Sequence, residues 1–173
     1  MNRRDAGFTL VEAVITMVIL SIAALAMGQT LGLAFSKSSD GLWQARSVAL
    51  AQSYLEEIMG HRYDEATPVG GVPACAPSTT PCSAIGPESG ETRATFDDVD
   101  DYHGLADAPP RDSDGNSWPL FDGYAAAVSV RYITAGEVTS LGLDTTTDAK
   151  VVSVAITPPG RDPLTFSVLR ANF

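Results

Sequence analysis

The chain is poor in the residue types on which most protein chemistry is built. Its 173 residues include only two cysteines, Cys75 and Cys82, and two histidines, His61 and His103. Two cysteines with no histidine beside them make a poor zinc site. There is no Gly-x-Ser-x-Gly elbow, no His-Glu-x-x-His helix and no phosphate-cradling glycine loop, so the chain reads as a non-enzyme. Basic residues are scarce too: 11 Lys and Arg stand against 21 Asp and Glu, a formal charge of −10. That balance argues against nucleic acid, whose phosphates call for basic patches, and against docking to an anionic membrane face. Proline is missing from Phe8 to Met59, which leaves a long stretch free of helix breakers. No internal repeat is detectable.

The N-terminus carries the strongest pattern. Arg3 and Arg4 precede Gly7-Phe8, and an apolar run follows to Phe35 with Glu12 as its only charged residue. An ordinary export signal has its small-residue cleavage site after the apolar region. Here Gly7 comes before it, so a cut at Gly7–Phe8 removes the basic head and leaves the apolar helix on the mature chain. At about 1.5 Å per residue the run reaches roughly 40 Å, longer than a ~30 Å hydrocarbon core. It spans. Arg3 and Arg4 predict a cytoplasmic N-terminus, with everything after Phe35 on the far side. A carboxylate inside such a span costs roughly 2.5–3.5 kcal/mol and is rarely idle. The plainer alternative is that Glu12 snorkels to the nearby interface.

Gly7-Phe8-Thr9-Leu10-Val11-Glu12 resembles the prepilin processing site of the type IV pilin superfamily. The resemblance implies a membrane prepilin peptidase that cuts after Gly7 and methylates the new amine of Phe8. It also implies that Glu12 guides assembly by pairing with that amine on a neighbouring subunit. Major pilins commonly carry a proline in the stem, and this chain departs from them there. Phe96-Asp97-Asp98-Val99-Asp100-Asp101-Tyr102-His103-Gly104 and Leu55–Asp64 are similar to stretches in minor pilins of mannose-sensitive haemagglutinin (MSHA) pili. The implied function is a low-abundance subunit that helps initiate or build a surface fibre. Its partners would be prepilin peptidase, other major and minor pilins, an inner-membrane assembly platform and membrane lipid. The precursor would cross the inner membrane once with its C-terminal domain periplasmic, then join the pilus. A minor pseudopilin of a type II secretion system, or a membrane-anchored calcium-dependent adhesin, remains the alternative.

Five segments follow: a leader at 1–7, a transmembrane assembly helix at 8–35, an amphipathic continuation at 36–60, a loop-rich region at 61–123 and a sheet at 124–173. Leu42, Ala45, Ala49, Leu55, Ile58 and Met59 recur at helical spacing and predict the buried face of the continuation. Gly60-His61-Arg62 is the expected stop, and Ser38-Ser39-Asp40-Gly41 is an alternative break. On the exported side Cys75 and Cys82 are expected to form a disulfide that pins a small proline-flanked loop. Tyr124, Ala126, Val128, Val130 and Tyr132 alternate with period two, as do Val152, Val154 and Ile156, and Leu164, Phe166 and Val168. The last two sets flank a hairpin connection, and Arg93–Phe96 is a candidate short strand. The expected fold is α+β, a long N-terminal helix packed on a small antiparallel sheet in pilin-like fashion.

Acidic residues gather in the loop region. Asp97, Asp98, Asp100 and Asp101, then Asp112, Asp114 and Asn116, offer the oxygen ligands that calcium takes. The second group resembles the start of an EF-hand loop, but Ser117 and Gly123 stand where its glycine and glutamate belong. Turn chemistry explains it as well. For the first group the alternative is a solvated acidic loop with Phe96, Val99 and Tyr102 packed inward.

Overall fold

The structure, a computed structural model, describes residues 10–172 and, for 30–40, the backbone alone. The chain divides into two compact units, Met1–Gln44 and Ala45–Phe173. Helix α1 spans Leu10–Met59 and runs through Ser38-Ser39-Asp40-Gly41 unbroken. A proline-free sequence of strong helix formers accounts for that length. Met59 ends it. The Gly60 amide closes onto the carbonyls of Glu56 and Glu57 at 3.2 and 3.1 Å. A Cβ at Gly60 would meet the Glu57 carbonyl oxygen at 3.3 Å, so the stop needs a small residue for space.

In the second unit four strands form an antiparallel meander: β1 Ala106–Asp107, β2 Ala125–Tyr132, β3 Ala149–Thr157 and β4 Leu164–Ala171, in that order. The register places Val128 opposite Val154 and Val130 opposite Val152, and on the other side of β3 Val154 faces Phe166 and Val152 faces Val168. The alternating residues therefore line one face. Ala126, Val128, Val130, Val152, Val154 and Ile156 are all buried, each large one contributing about 1.5–3 kcal/mol relative to exposure. The α1 residues Leu50, Ala51, Tyr54 and Ile58 close the same core, and the Tyr54 hydroxyl donates to Asp107 of β1 at 2.7 Å.

Three local expectations are corrected. The buried stripe of α1 is Ser47, Leu50, Ala51, Tyr54 and Ile58, whereas Leu42, Ala45 and Ala49 are exposed. Apolar residues occur on more than one side of this segment, and the stripe that meets the sheet contains Leu50, Tyr54 and Ile58, all fully buried. Arg93–Phe96 is not a strand: Arg93–Thr95 form a 3₁₀ turn closed by the Thr95 hydroxyl, which accepts the Thr92 amide and donates to the Thr92 carbonyl. A second helix, α2, spans Ala135–Leu141, with Thr134 and Glu137 capping it reciprocally and Gly142 ending it at φ 68°.

β2 has little neighbour on its β1 side, since β1 is two residues long. Beyond it, Gly104 and Leu105 exchange backbone hydrogen bonds with Val128, and the Val130 amide donates to the His103 Nδ1 at 3.1 Å. The imidazole thus extends the ladder where the strand stops.

Cys75 and Cys82 are joined, seven residues apart. Asn172, next to the C-terminus, donates to the Cys75 carbonyl at 2.8 Å and to that of Thr147 at 3.1 Å. The bridge thereby ties the loop to the end of β4. Closing so short a loop restrains the unfolded chain by about 2–3 kcal/mol. A Cys75→Ser, Cys82→Ser double variant is expected to melt several degrees lower than wild type in non-reducing buffer. Equal melting temperatures would show that the bridge adds nothing.

Candidate functional site

The processing residues Gly7 and Phe8 lie outside the described residues; α1 is described from Leu10. Glu12 sits in its first turn with an exposed side chain. Around it the helix is apolar on every side: Leu10–Gln29 has a mean hydropathy of 2.4 and nothing in that span is buried. Leu10, Val11, Met17, Leu20, Leu25 and Met27 are each 65–81% exposed. An all-round apolar helix of this length matches a bilayer core or the inside of a helical bundle. Its hydroxyls suit both. Thr16 Oγ1 donates to the Glu12 carbonyl, and Ser21 Oγ donates to that of Met17 at 2.7 Å. Each satisfies itself on its own helix, which lowers the cost of placing it in lipid. A shallow groove lined by Val11, Glu12, Ile15, Thr16 and Ile19 puts the carboxylate beside apolar side chains.

The second unit is held by ionic groups that lie inside it. Lys150 occupies the row of Val152, Val154 and Ile156 and is wholly buried. Its ammonium meets Asp64 at 2.9 Å, the Tyr63 carbonyl at 2.7 Å, and Asp100. The Tyr63 and Tyr132 rings stand 4.5 and 5.3 Å from the ammonium, close enough for cation–π attraction. Asp64 also accepts the amides of Ser83 and Ala66 and the Tyr132 hydroxyl, joining the end of α1 to the loop, β2 and β3. Burial alone would raise the Asp64 pKa; the Ser83 amide and Lys150 hold it below the usual value. For Asp100 burial wins: with help from the Asp98 and Asp64 charges, and against Lys150, it pushes the carboxyl up to about 7. One ammonium thus faces two carboxylates, one of which tends to keep its proton.

A parallel network centres on Arg93, which pairs with Asp107 and, at 3.3 Å, with Glu57. The Tyr102 hydroxyl donates to Glu57 at 3.0 Å, and His61 Nε2 lies 3.0 Å from the same oxygen. These groups pair with one another across α1, the loop region and β1. Both histidines are therefore engaged in holding the domain together.

The acidic stretch is not a solvated loop. Val99 and Tyr102 do pack inward, but Asp98, Asp100 and Asp101 are buried with them, and Asp97 alone of the four acids is exposed, on Arg62. Asp98 and Asp101 accept backbone amides that shape the turn, and Asp100 goes to Lys150. Asp112 closes its own turn: its Oδ1 accepts the Asn116 amide at 2.7 Å and its Oδ2 the Asn116 side chain at 3.4 Å. Asp114 is exposed in that turn. Asp98 and Asp101 gather instead with Glu65, Glu88 and Glu91. Sequence reading missed those three glutamates, as well as Lys150 and Arg93. A signal for Lys150 existed, since it is the only lysine after Lys37 and stands in a row of valines. None existed for the glutamates, which lie in loops of ordinary polarity.

Residues 2–28 match the prokaryotic N-terminal methylation motif. No curated protein and no solved structure matches the chain. The motif implies cleavage by prepilin peptidase and assembly with other pilins, and the apolar helix is consistent with a precursor anchored in the inner membrane. A methylation motif leading into a 20-residue uncovered apolar span indicates a type IV pilin or pseudopilin processed by prepilin peptidase.

Proposed function

We propose that the chain is a minor pilin of the MSHA type, similar to MshD, which enters or primes a surface pilus. The observation that carries the reading is the N-terminal motif on a helix whose apolar surface is left bare over Leu10–Gln29. The MSHA assignment is supported by the acidic stretch Phe96–Gly104 and the helix end Leu55–Asp64, which are similar to those of MSHA minor pilins. Prepilin peptidase would cut at Gly7–Phe8 and methylate Phe8, with the domain after Phe35 on the periplasmic side. In lipid the bare helix gains little by meeting another helix, because both surroundings are equally apolar. A platform driven from the cytoplasm would therefore lift the subunit, and a bundle of similar stems would take the place of lipid. We read the domain as non-catalytic: the groups best suited to acid–base work, His61, His103, Lys150 and Asp100, are all engaged within the fold.

The test is intact-mass and N-terminal peptide spectra of the chain from sheared fibres and from membranes. The expected species is a chain that starts at methylated Phe8 and occurs in the fibres. The same mature chain confined to membranes, co-purifying with secretion proteins, would favour the pseudopilin reading instead. A chain that keeps Met1–Gly7 would overturn both.

A further inference from the structure

Two carboxylate triads share Glu88. In Glu65–Glu88–Asp98 and in Glu88–Glu91–Asp101, one oxygen from each residue lies within 4.8 Å of the other two. The residues arrive from three places: the segment just past α1, the loop after the disulfide, and the turn that leads into Asp100–Tyr102. Proximity of acids is common and decides nothing. What distinguishes this cluster is what its buried members leave unpaired.

Asp98 and Asp101 are 0% and 1% exposed. Asp98 commits Oδ1 to the amides of Asp100 and Asp101 at 2.9 and 3.2 Å. Asp101 commits Oδ2 to the amides of Asp97 and Asp98 at 2.9 and 3.1 Å. The backbone therefore holds one oxygen of each residue and fixes the direction of the other. Those other oxygens, Asp98 Oδ2 and Asp101 Oδ1, are buried with no hydrogen-bond partner, and so is Glu88 Oε2. An unsatisfied buried acceptor costs about 1–3 kcal/mol, and more when it is charged. Of the basic groups nearby, Arg62 pairs at the rim with Glu65 and Asp97, and Lys150 pairs with Asp64 and Asp100; neither is bonded to the three unpaired oxygens.

We propose that Glu65, Glu88, Glu91, Asp98 and Asp101 form a calcium site. The donors are all carboxylate oxygens, the set a hard divalent cation takes. Oxygens within 4.8 Å of one another can share one calcium ion, whose opposite ligands stand about 4.6–5.2 Å apart, and a set this rich in carboxylates suits calcium better than magnesium, which keeps several of its waters. Bound there, the ion draws the segment after α1, the 88–91 loop and the 97–101 turn onto one centre. The loop region then takes its shape only where calcium is plentiful, in the ~10⁻⁴–10⁻³ M range of extracellular modules. The site stands whichever fibre the chain joins.

The experiment is thermal melting of the full-length chain in detergent micelles, stripped with chelator and titrated with calcium chloride. The expected result is a saturable rise of about 5–10 °C when calcium reaches one hundred times its dissociation constant. Glu88→Gln should melt no lower than wild type without calcium, since it removes a repelling charge, and should need at least about tenfold more calcium for the same rise. Asp112→Asn, whose carboxylate only closes its own turn, should keep the full response. No saturable rise in wild type, an equal rise with magnesium chloride at matched ionic strength, or a full response in Glu88→Gln would each overturn the site.

Discussion

Lys150→Met is expected to remove about 3–5 kcal/mol of folding stability, the cost of breaking a buried ion pair by deleting one partner. Against a typical total of about 5–15 kcal/mol, the second unit would lose much of its margin. Methionine fills nearly the same volume, so packing is not what is lost. The loss comes from Asp64 and Asp100, both wholly buried, which would face each other without the ammonium between them. A pH series separates this from simple repacking. In wild type the Asp64 pKa is held below its ordinary 3.8, so its contribution is present above that pH and fades as pH falls through the folded value. Without Lys150 the burial that raises Asp64 is opposed by the Ser83 and Ala66 amides but no longer by the ammonium, so the carboxyl's pKa moves up from its wild-type position and the variant gains less stability than wild type as pH rises. The difference between wild type and variant must therefore grow above pH ~4 and shrink in acid. Urea unfolding of the full-length chain in micelles, followed by tryptophan fluorescence at pH 5 and pH 8, measures it. A difference below about 1 kcal/mol, or one that is flat with pH, would mean that Lys150 is a spectator.

Lys150 also marks where sequence reading stops. The alternation of Val152, Val154 and Ile156 was legible because each strand presents one face to the core and the period of two is local. The lysine obeys the same alternation, yet its partner Asp64 is 86 residues away, and no local pattern records a distant charge. The sheet, the disulfide and the helix stop at Gly60 were readable for the reason the strands were: each depends on neighbours in sequence. α2 went unread, although Thr134, Glu137 and Gly142 supply a capping pair and a left-handed stop, because a helix so short shows no periodicity. β1 went unread too, because two residues cannot alternate and its place is set by pairing with β2. The face of α1 was misjudged by about one residue, since apolar side chains surround that segment and only contact with the sheet selects among them. The acidic stretch shows the opposite error. Asp98, Asp100 and Asp101 look hydrophilic one by one, but the backbone amides and Lys150 that accompany them allow burial.

Glu12→Gln is expected to leave processing intact and to lower the amount of chain in fibres at least tenfold. Cleavage precedes Glu12 in the sequence, and the substitution keeps the size and polarity of the side chain, so the peptidase still meets its motif. Membrane retention should improve if anything, because a neutral amide is cheaper than a carboxylate within a span. What disappears is the negative charge. In a bundle of bare stems the α-amine of a mature Phe8 is cationic below a pKa of about 8, and water is scarce around it. A carboxylate one helical turn further along is suited to neutralise the amine of the next subunit and to fix the register between stems. A tenfold change corresponds to only about 1.4 kcal/mol, well within what a poorly hydrated pair supplies even at an effective dielectric near 20. Glu12→Asp keeps the charge on a shorter arm and should fall between the two. Mass spectrometry of the Phe8-starting peptide, measured as the ratio of fibre to membrane, reads the result directly. An unchanged ratio in Glu12→Gln would reduce Glu12 to a side chain that merely snorkels to the interface. A lower ratio with normal cleavage would assign it to the joining of subunits, the one step that the bare helix cannot guide by apolar contact alone.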